Sequence, residues 1–310
     1  MIPKPEMPMP DRPFVDGRLV PEFHSPSLRA ALATARQIVA HPENRGRRAS
    51  RMARWVVWQG WQRLVKRPWT LTLHDGVRMI CHPHDNTTSL VLKYGLFDAQ
   101  EMRFLLAWLR PGDTFVDVGA NVAPYSLLAA AVRDARVVAF EPGTLARQTA
   151  RANIDLNGVG GRIALEAAAV SDAEGEALLT TDRWATNALA TADYPGGLEQ
   201  VRTITLDSYD AAHGLRDVTL LKVDVEGHEA PVIRGASELI SRCRPALIVE
   251  INDPVALQRL AHAVGYHAVS YDPRSGSLGG RAWPDAAGGN IILVSSIEDA
   301  RTRLMSQPRT

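Results

Sequence analysis

Cysteine is scarce in this chain. Its 310 residues hold two, Cys81 and Cys243. Two thiols cannot staple a disulfide scaffold or furnish a cysteine-rich zinc site, so they read as reduced, buried groups of a cytoplasmic protein. An excess of one charge is also missing. Lys+Arg 35 against Asp+Glu 34 leaves a net charge of +1, which excludes a protein that wraps nucleic acid by bulk electrostatics. No apolar run reaches the roughly 18–20 residues of a membrane span. The proline-rich opening MIPKPEMPMPDRPF lacks the apolar stretch of a secretory signal. No Walker loop, G-x-S-x-G elbow or H-E-x-x-H helix occurs. These absences point to the cytoplasm, with contact at a membrane surface left open.

What is present begins with residues 1–27, proline-rich and without periodicity, which predict an extended or poorly ordered arm. SLRAALATARQIVA then predicts one helix, capped by Ser27 and stopped at His41-Pro42. From Arg45 to His74 there is no Asp or Glu. Arginines 45, 47, 48, 51, 54, 63 and 67, with Lys66, interleave there with Trp55, Trp58, Trp61 and Trp69. On a helix the first three tryptophans share a stripe. That stripe either touches an anionic membrane surface or a substrate lipid, or packs against the body. Packing is the preferred reading, because tertiary contacts are what usually stabilise a helix. Asp75-Gly76 predicts a hairpin turn, and DAQEMRFLLAWLR an amphipathic helix ended by Pro111-Gly112.

Beyond that point strand-like and helix-like runs alternate. The strands are expected at Thr114–Val118, Val137–Phe140, Ile163–Ala167, Thr219–Val223, Ala246–Ile251, Tyr266–Tyr271 and Asn290–Val294. Alternation of this kind predicts a doubly wound, mostly parallel α/β sheet of seven strands. The expected organisation is a helical, Arg/Trp-rich extension over 1–70, a hairpin and helix over 71–110, the α/β domain over 111–296, and a tail over 297–310.

One turn carries the most information. Asp117-Val-Gly119-Ala-Asn121-Val-Ala123 follows an apolar strand and opens an alanine-rich helix. Ligands of open α/β sheets bind at such turns. A dinucleotide loop would need G-x-G-x-x-G to cradle a pyrophosphate, and only one of those glycines is here. Asp117 and Asn121 suit a cationic amino-acid head instead. Glu141 ends the next strand, 22 positions after Gly119, where an acid can accept both ribose hydroxyls. An amino-acid head plus a ribose describes S-adenosyl-L-methionine (SAM).

Four segments carry a family resemblance: VDVGANVAPYSLLAA, AFEPGTLARQTARANIDLNG, LLKVDVEGHEAPVIRGA and PALIVEIN. Together they resemble the FkbM-type SAM-dependent methyltransferases over about residues 71–295. The resemblance implies the class I (Rossmann-like) methyltransferase fold, with Asp117, Gly119 and Asn121 around the methionine part of SAM and Glu141 on its ribose. It also implies that Asp172 lies near the adenine, although an ordinary turn residue is an equal reading of that aspartate. Where the family usually has a second glycine, this chain has Ala123. That predicts either negative φ at Ala123 or weakened SAM binding.

On the acceptor side, D-V-E-G-H-E leaves the fourth strand. Methyl transfer to a hydroxyl needs an aligned acceptor and a group to take its proton. Asp224, Glu226 and His228 are the catalytic candidates, with Glu250 and Asn252 expected to touch the acceptor. Glu226 has a second reading, as an acceptor of backbone N–H groups in the Gly227 turn. Asp224, Glu226 and Glu250 are also an oxygen set of the kind that binds Mg²⁺, ranked below metal-free catalysis. His82 and His84 read as surface-turn residues. The expected function is O-methylation of a sugar, a glycolipid or another small molecule. The alternative is a non-catalytic adenosyl-binding or membrane-docking module. No nucleic-acid partner is expected.

Overall fold

The computed structural model describes residues 28–65, 67–83, 86–182 and 186–306. The proline-rich arm, the Ser27 cap, Lys66, His84 and Asp85 lie outside these residues. Helix α1 (Leu28–Ala40) ends where Pro42 forces His41 into an extended conformation. A short turn, Pro42–Asn44, leads to α2 (Arg48–Leu64). Strands β1 (Trp69–His74) and β2 (Val77–Cys81) form a hairpin on Asp75 and Gly76, both at positive φ, as an Asp-Gly turn requires. Leu71, Leu73, Val77, Met79 and Cys81 alternate inward from it. Trp58 is buried between Leu71, Cys81 and Leu92, with Trp55, Trp61 and Trp69 packed alongside. The tryptophan stripe therefore faces the body, the packing alternative of the two.

Helices α3 (Asn86–Tyr94) and α4 (Ala99–Trp108) lead into the sheet. There β3 (Thr114–Val118), α5 (Pro124–Arg133), β4 (Arg136–Phe140), α6 (Thr144–Asn157) and β5 (Ile163–Glu166) alternate. Next come β6 (Ala169–Val170), β7 (Gly175–Thr180), β8 (Leu189–Ala190), β9 (Leu198–Ile204) and α7 (Leu206–His213). The chain returns to the main sheet with β10 (Val218–Val223), then α8 (Glu229–Arg234), α9 (Ser237–Cys243), β11 (Ala246–Glu250) and α10 (Pro254–Ala263). It finishes with β12 (His267–Asp272), β13 (Ser277–Gly280), β14 (Asn290–Val294) and α11 (Ile297–Met305).

The main sheet has the order β13-β12-β14-β11-β10-β3-β4-β5. Its pairings are parallel except those that β13 and β14 make. Both faces are covered by helices, so β3 is buried at every position and reads as an unbroken apolar run around Asp117. Strand order reverses between β3 and β10, which opens a crevice at their carboxyl ends.

Two expectations need correction. The sheet has eight strands rather than seven, because Ser277–Gly280 adds an antiparallel edge to β12. Its sequence, SLGG, carries no strand pattern. A second, four-stranded sheet, β6-β9-β7-β8, fills the connection between β5 and α7. The expected tail over 297–310 contains α11. Ser296 caps it by accepting from the Asp299 N–H, and Ala300 is buried. Arg303 pairs with Asp113 and lies over the Trp108 ring, 5.1 Å from its centroid. Loss of a partly buried ion pair and a cation–π contact is worth about 1–2 kcal/mol. Arg303→Ala is therefore expected to lower the unfolding free energy by that much, read as a lower midpoint in a urea titration. An unchanged midpoint would mean that α11 is not fastened to the domain.

Candidate active site

The turn after β3 is built around one close approach. Gly119 has φ 77, and a Cβ there would overlap the carbonyl oxygen of Asp224. Only glycine satisfies both conditions. The Gly119 and Ala120 N–H groups both donate to the Phe140 carbonyl at 3.0 Å, and the Ala123 N–H donates to Ala120 at 2.8 Å. The Asn121 N–H donates to Glu141 Oε2 at 2.8 Å. These donors are already spent inside the protein, so the turn cannot offer them to a pyrophosphate as a dinucleotide loop does. Asn121 and Ala123 both take positive φ, 52 and 68. Of the two alternatives at Ala123, negative φ is excluded, since alanine takes the left-handed conformation there at a cost of about 1–2 kcal/mol; weakened SAM binding is the alternative left to test.

Glu141 follows β4 and is buried. Its second oxygen, Oε1, accepts from the Gly143 N–H at 2.7 Å. Burial pushes its pKa up to about 7, against the lowering effect of the Gly143 and Asn121 N–H groups. The carboxylate is pinned in place but short of donors, which fits a partner bringing two hydroxyls.

Across the crevice, the register sets Lys222 beside Asp117. Lys222 Nζ is 2.8 Å from Asp224 Oδ2 and 4.0 Å from Asp117 Oδ1. It also stands 4.9 Å from the centroid of the Tyr125 ring. Burial alone would lower its pKa, but the charges of Asp224, Asp117 and Asp98 outweigh burial and leave it above the ordinary value.

One oxygen from each of Asp224, Glu226 and Glu250 lies within 4.8 Å of the others. That spacing would also admit a cation. Burial first, then the charge of Asp224, raises Glu226 to about 7 and Glu250 to about 8. His228 Nε2 bonds Ser171 Oγ at 2.8 Å, and burial lowers the imidazole pKa.

The cleft of about 340 Å³ is bordered by Gly119, Asn121, Glu141, Asp224, Glu226 and His228, and by Glu250 at its far side. Three expected site residues stand elsewhere. Asp117 is buried behind the turn, accepting from Ser126 Oγ at 2.6 Å. Asp172 lies outside the cleft and pairs with Arg234 at 2.7 Å. Asn252 also lies outside it and donates to Glu229 and Glu250, at 3.1 and 2.6 Å. It orients carboxylates rather than facing the cleft.

The sequence reading passed over several contributors. Glu229, not Glu226, accepts the N–H groups of Val225 and Gly227, at 3.3 and 3.0 Å. That leaves Glu226, at φ 55, to face the cleft. Asp98 also borders the cleft, accepting from Tyr125 OH at 2.8 Å; burial raises its pKa. Its signal was present, since an acid opens the α4 pattern, but only a helix-terminus role was legible. Thr87 and Leu90 come from α3, and Leu179 and Leu189 from the small sheet.

Residues 117–264 match the family model described as the methyltransferase FkbM domain. That match spans a little under half of the chain, and over it the sequence is similar to that domain. Among solved structures it is similar to methyltransferase FkbM from Methylobacillus flagellatus KT, with 16% identity and a TM-score of 0.41. That match covers 67% of this chain and 53% of the other, so the chain spans about half the length of that relative. It is also similar to the tRNA (uracil-54, C5)-methyltransferase of Pyrococcus abyssi in complex with S-adenosyl-L-homocysteine: 16% identity, TM-score 0.41, covering 66% of this chain and 39% of that one. A third is precorrin-6y C5,15-methyltransferase from Geobacter metallireducens GS-15, with 15% identity, TM-score 0.36, and coverage of 64% and 86%. No curated protein sequence matches.

The crowded carboxylates give a pH signature. A carboxyl whose folded pKa is raised contributes stability below its unfolded pKa, and that contribution disappears as pH rises through the folded value. For Glu250 the window runs from the ordinary carboxylate range up to about 8. Glu250→Gln is expected to raise the unfolding temperature by ~2–4 °C at pH 9 and to change it little at pH 5. Equal effects at both pH values in a thermal melt would show that Glu250 does not titrate in this window.

Proposed function

We propose that this chain transfers the methyl group of SAM to a hydroxyl of a sugar, a glycolipid or another small molecule. One observation carries the reading. Among the described residues, five carboxylates border the cleft (Asp98, Glu141, Asp224, Glu226 and Glu250) and the ammonium of Lys222 faces them. A cleft so short of positive charge suits a donor that brings both an ammonium and a sulfonium.

The residues fit SAM end to end. Glu141 offers anchored oxygens to the ribose hydroxyls. Phe140, Ala168, Val170 and Leu179 give apolar walls for the adenine. Gly119 and Asn121 border the place for the amino-acid head, with Asp98 as an acceptor for its ammonium. When bound, SAM supplies an electrophilic methyl carbon on sulfur. The protein then has to orient the acceptor oxygen and take its proton. The Asp224, Glu226 and Glu250 cluster can do both, since a polyol satisfies several carboxylate oxygens while one of them receives the proton. Lys222 holds Asp224 in position. Burial keeps the Glu226 and Glu250 pKa values near the working pH, where a general base is most effective.

The test is calorimetric titration with SAM, followed by mass spectrometry of a metabolite extract incubated with the protein and isotopically labelled SAM. Wild type is expected to bind SAM and Glu141→Ala to lose at least tenfold in affinity. A labelled methyl should appear on an acceptor oxygen. Asp224→Asn should depress turnover more than SAM affinity, whereas equal loss of both would place Asp224 on the donor. Turnover should rise from pH 6 to pH 9, because the base works ionised and the cluster titrates as a unit around 7 to 8. Failure of wild type to bind SAM would sink the reading.

A further inference from the structure

A second cavity, of about 530 Å³, lies between α2, the β1–β2 hairpin and α4. Its walls are polar and strongly basic. Arg45, Arg47, Arg51, Arg54 and Arg103 border it, with Glu43 and Asp75 as its carboxylates. Glu43 is already engaged by Arg103, through Nε at 2.9 Å and Nη2 at 2.7 Å. Asp75 lies 3.1 Å from His74. Arg45, Arg47, Arg51 and Arg54 form no ion pair with any described residue.

Arg51 is the unusual member. It is 8% exposed, and its Nη1 is buried with no hydrogen-bond partner among the described residues. The backbone has made room for it. A Cβ at Gly95 would stand 2.7 Å from Arg51 Nη2, and Gly95 has φ 76. A buried guanidinium without a counter-charge is costly. Like charges drawn around one cavity add to that cost, and a protein tolerates the arrangement when an anion completes it. Burial, followed by the charges of Arg54 and Arg47, pulls the Arg51 pKa down, in the same sense.

We propose that this cavity is a binding site for a phosphoryl group, carried by a soluble phosphate or by a lipid headgroup. The guanidinium fork matches the tetrahedral oxygens of a phosphate in a bidentate manner. The volume leaves room for a pyrophosphate or a substituent on the phosphate. No methyl donor is involved, so this site stands or falls apart from the methyl-transfer cleft. Two observations place it beside that cleft and beside an apolar surface. Leu96 borders the arginine cavity while the next two residues, Phe97 and Asp98, border the cleft. On α2 itself, Val56, Val57 and Leu64 are exposed.

The test uses the full chain and two probes. Pyrophosphate is titrated calorimetrically at constant ionic strength. Vesicles of phosphatidylcholine with phosphatidic acid are compared in sedimentation with vesicles carrying the same charge as phosphatidylserine. Pyrophosphate is expected to bind, and the Arg47→Gln/Arg54→Gln double variant, whose side chains border the cavity without being its buried member, should weaken it at least tenfold. Arg51→Gln should do the same while melting no lower than wild type, since it removes an unpaired buried charge. Sedimentation with phosphatidic acid beyond phosphatidylserine, lost in Arg51→Gln, would identify a headgroup. Pyrophosphate binding without that preference would identify a soluble phosphate. Binding to neither probe, or binding that the arginine variants leave unchanged, overturns the proposal.

Discussion

The site depends on a contact between two backbones. Gly119, at the end of β3, comes so close to the Asp224 carbonyl at the end of β10 that no side chain fits between them. The Asp224 N–H closes the same junction by donating to the Val118 carbonyl at 3.1 Å. Adjacent parallel strands would otherwise splay apart at a switch point, as the helices that follow them pack on opposite faces. Here the glycine lets the two turns meet. The Gly119 turn and the Asp224, Glu226 and Glu250 cluster are thereby fixed to each other. The proposed methyl transfer would be sensitive to small errors in alignment, and fixing both walls through backbone meets that demand.

The same junction concentrates charge. Lys222 sits among Asp117, Asp224 and Asp98 and neutralises part of the surrounding acidity. The outer acids, Glu226 and Glu250, are left with raised pKa values. Glu229 and Asn252 hold this crowd in place by hydrogen bonds rather than by opposite charge. A fold selected for stability alone would not gather carboxylates in this way. The arrangement costs stability where the acids ionise, a cost often met at sites that bind cations or move protons.

Much of this was legible in the sequence, and the reasons differ by element. β3 and β14 were located to the residue, since apolar runs closed by turn residues are unambiguous when both faces are buried. Glu141, Asp224, Glu226, His228 and Glu250 follow the carboxyl ends of strands, where ligands of open α/β sheets bind, and all five border the cleft. Asp117, which the resemblance places around the methionine part of SAM, stands behind the turn instead. Alternation turns it toward Ser126 and Lys222, inside the wall. Asp172, expected near the adenine or in an ordinary turn, pairs with Arg234 instead, and Glu229 serves the Gly227 turn; spacing encodes neither contact. The small sheet was missed because β8 has only two residues and β7 begins on a glycine at φ 153. In the sequence Arg51 is one of a basic run on a helix. Its burial beside Gly95 is a tertiary fact with no local signal.

The central claim is that one cleft, formed by the ends of β3, β4 and β10, holds the methyl donor. Hydrogen–deuterium exchange with and without S-adenosyl-L-homocysteine tests it most directly. Slowed exchange confined to the segments around Gly119–Tyr125, Glu141–Ala146 and Asp224–His228 is the expected result. Unchanged exchange at saturating ligand, or protection centred on another part of the molecule, would contradict it.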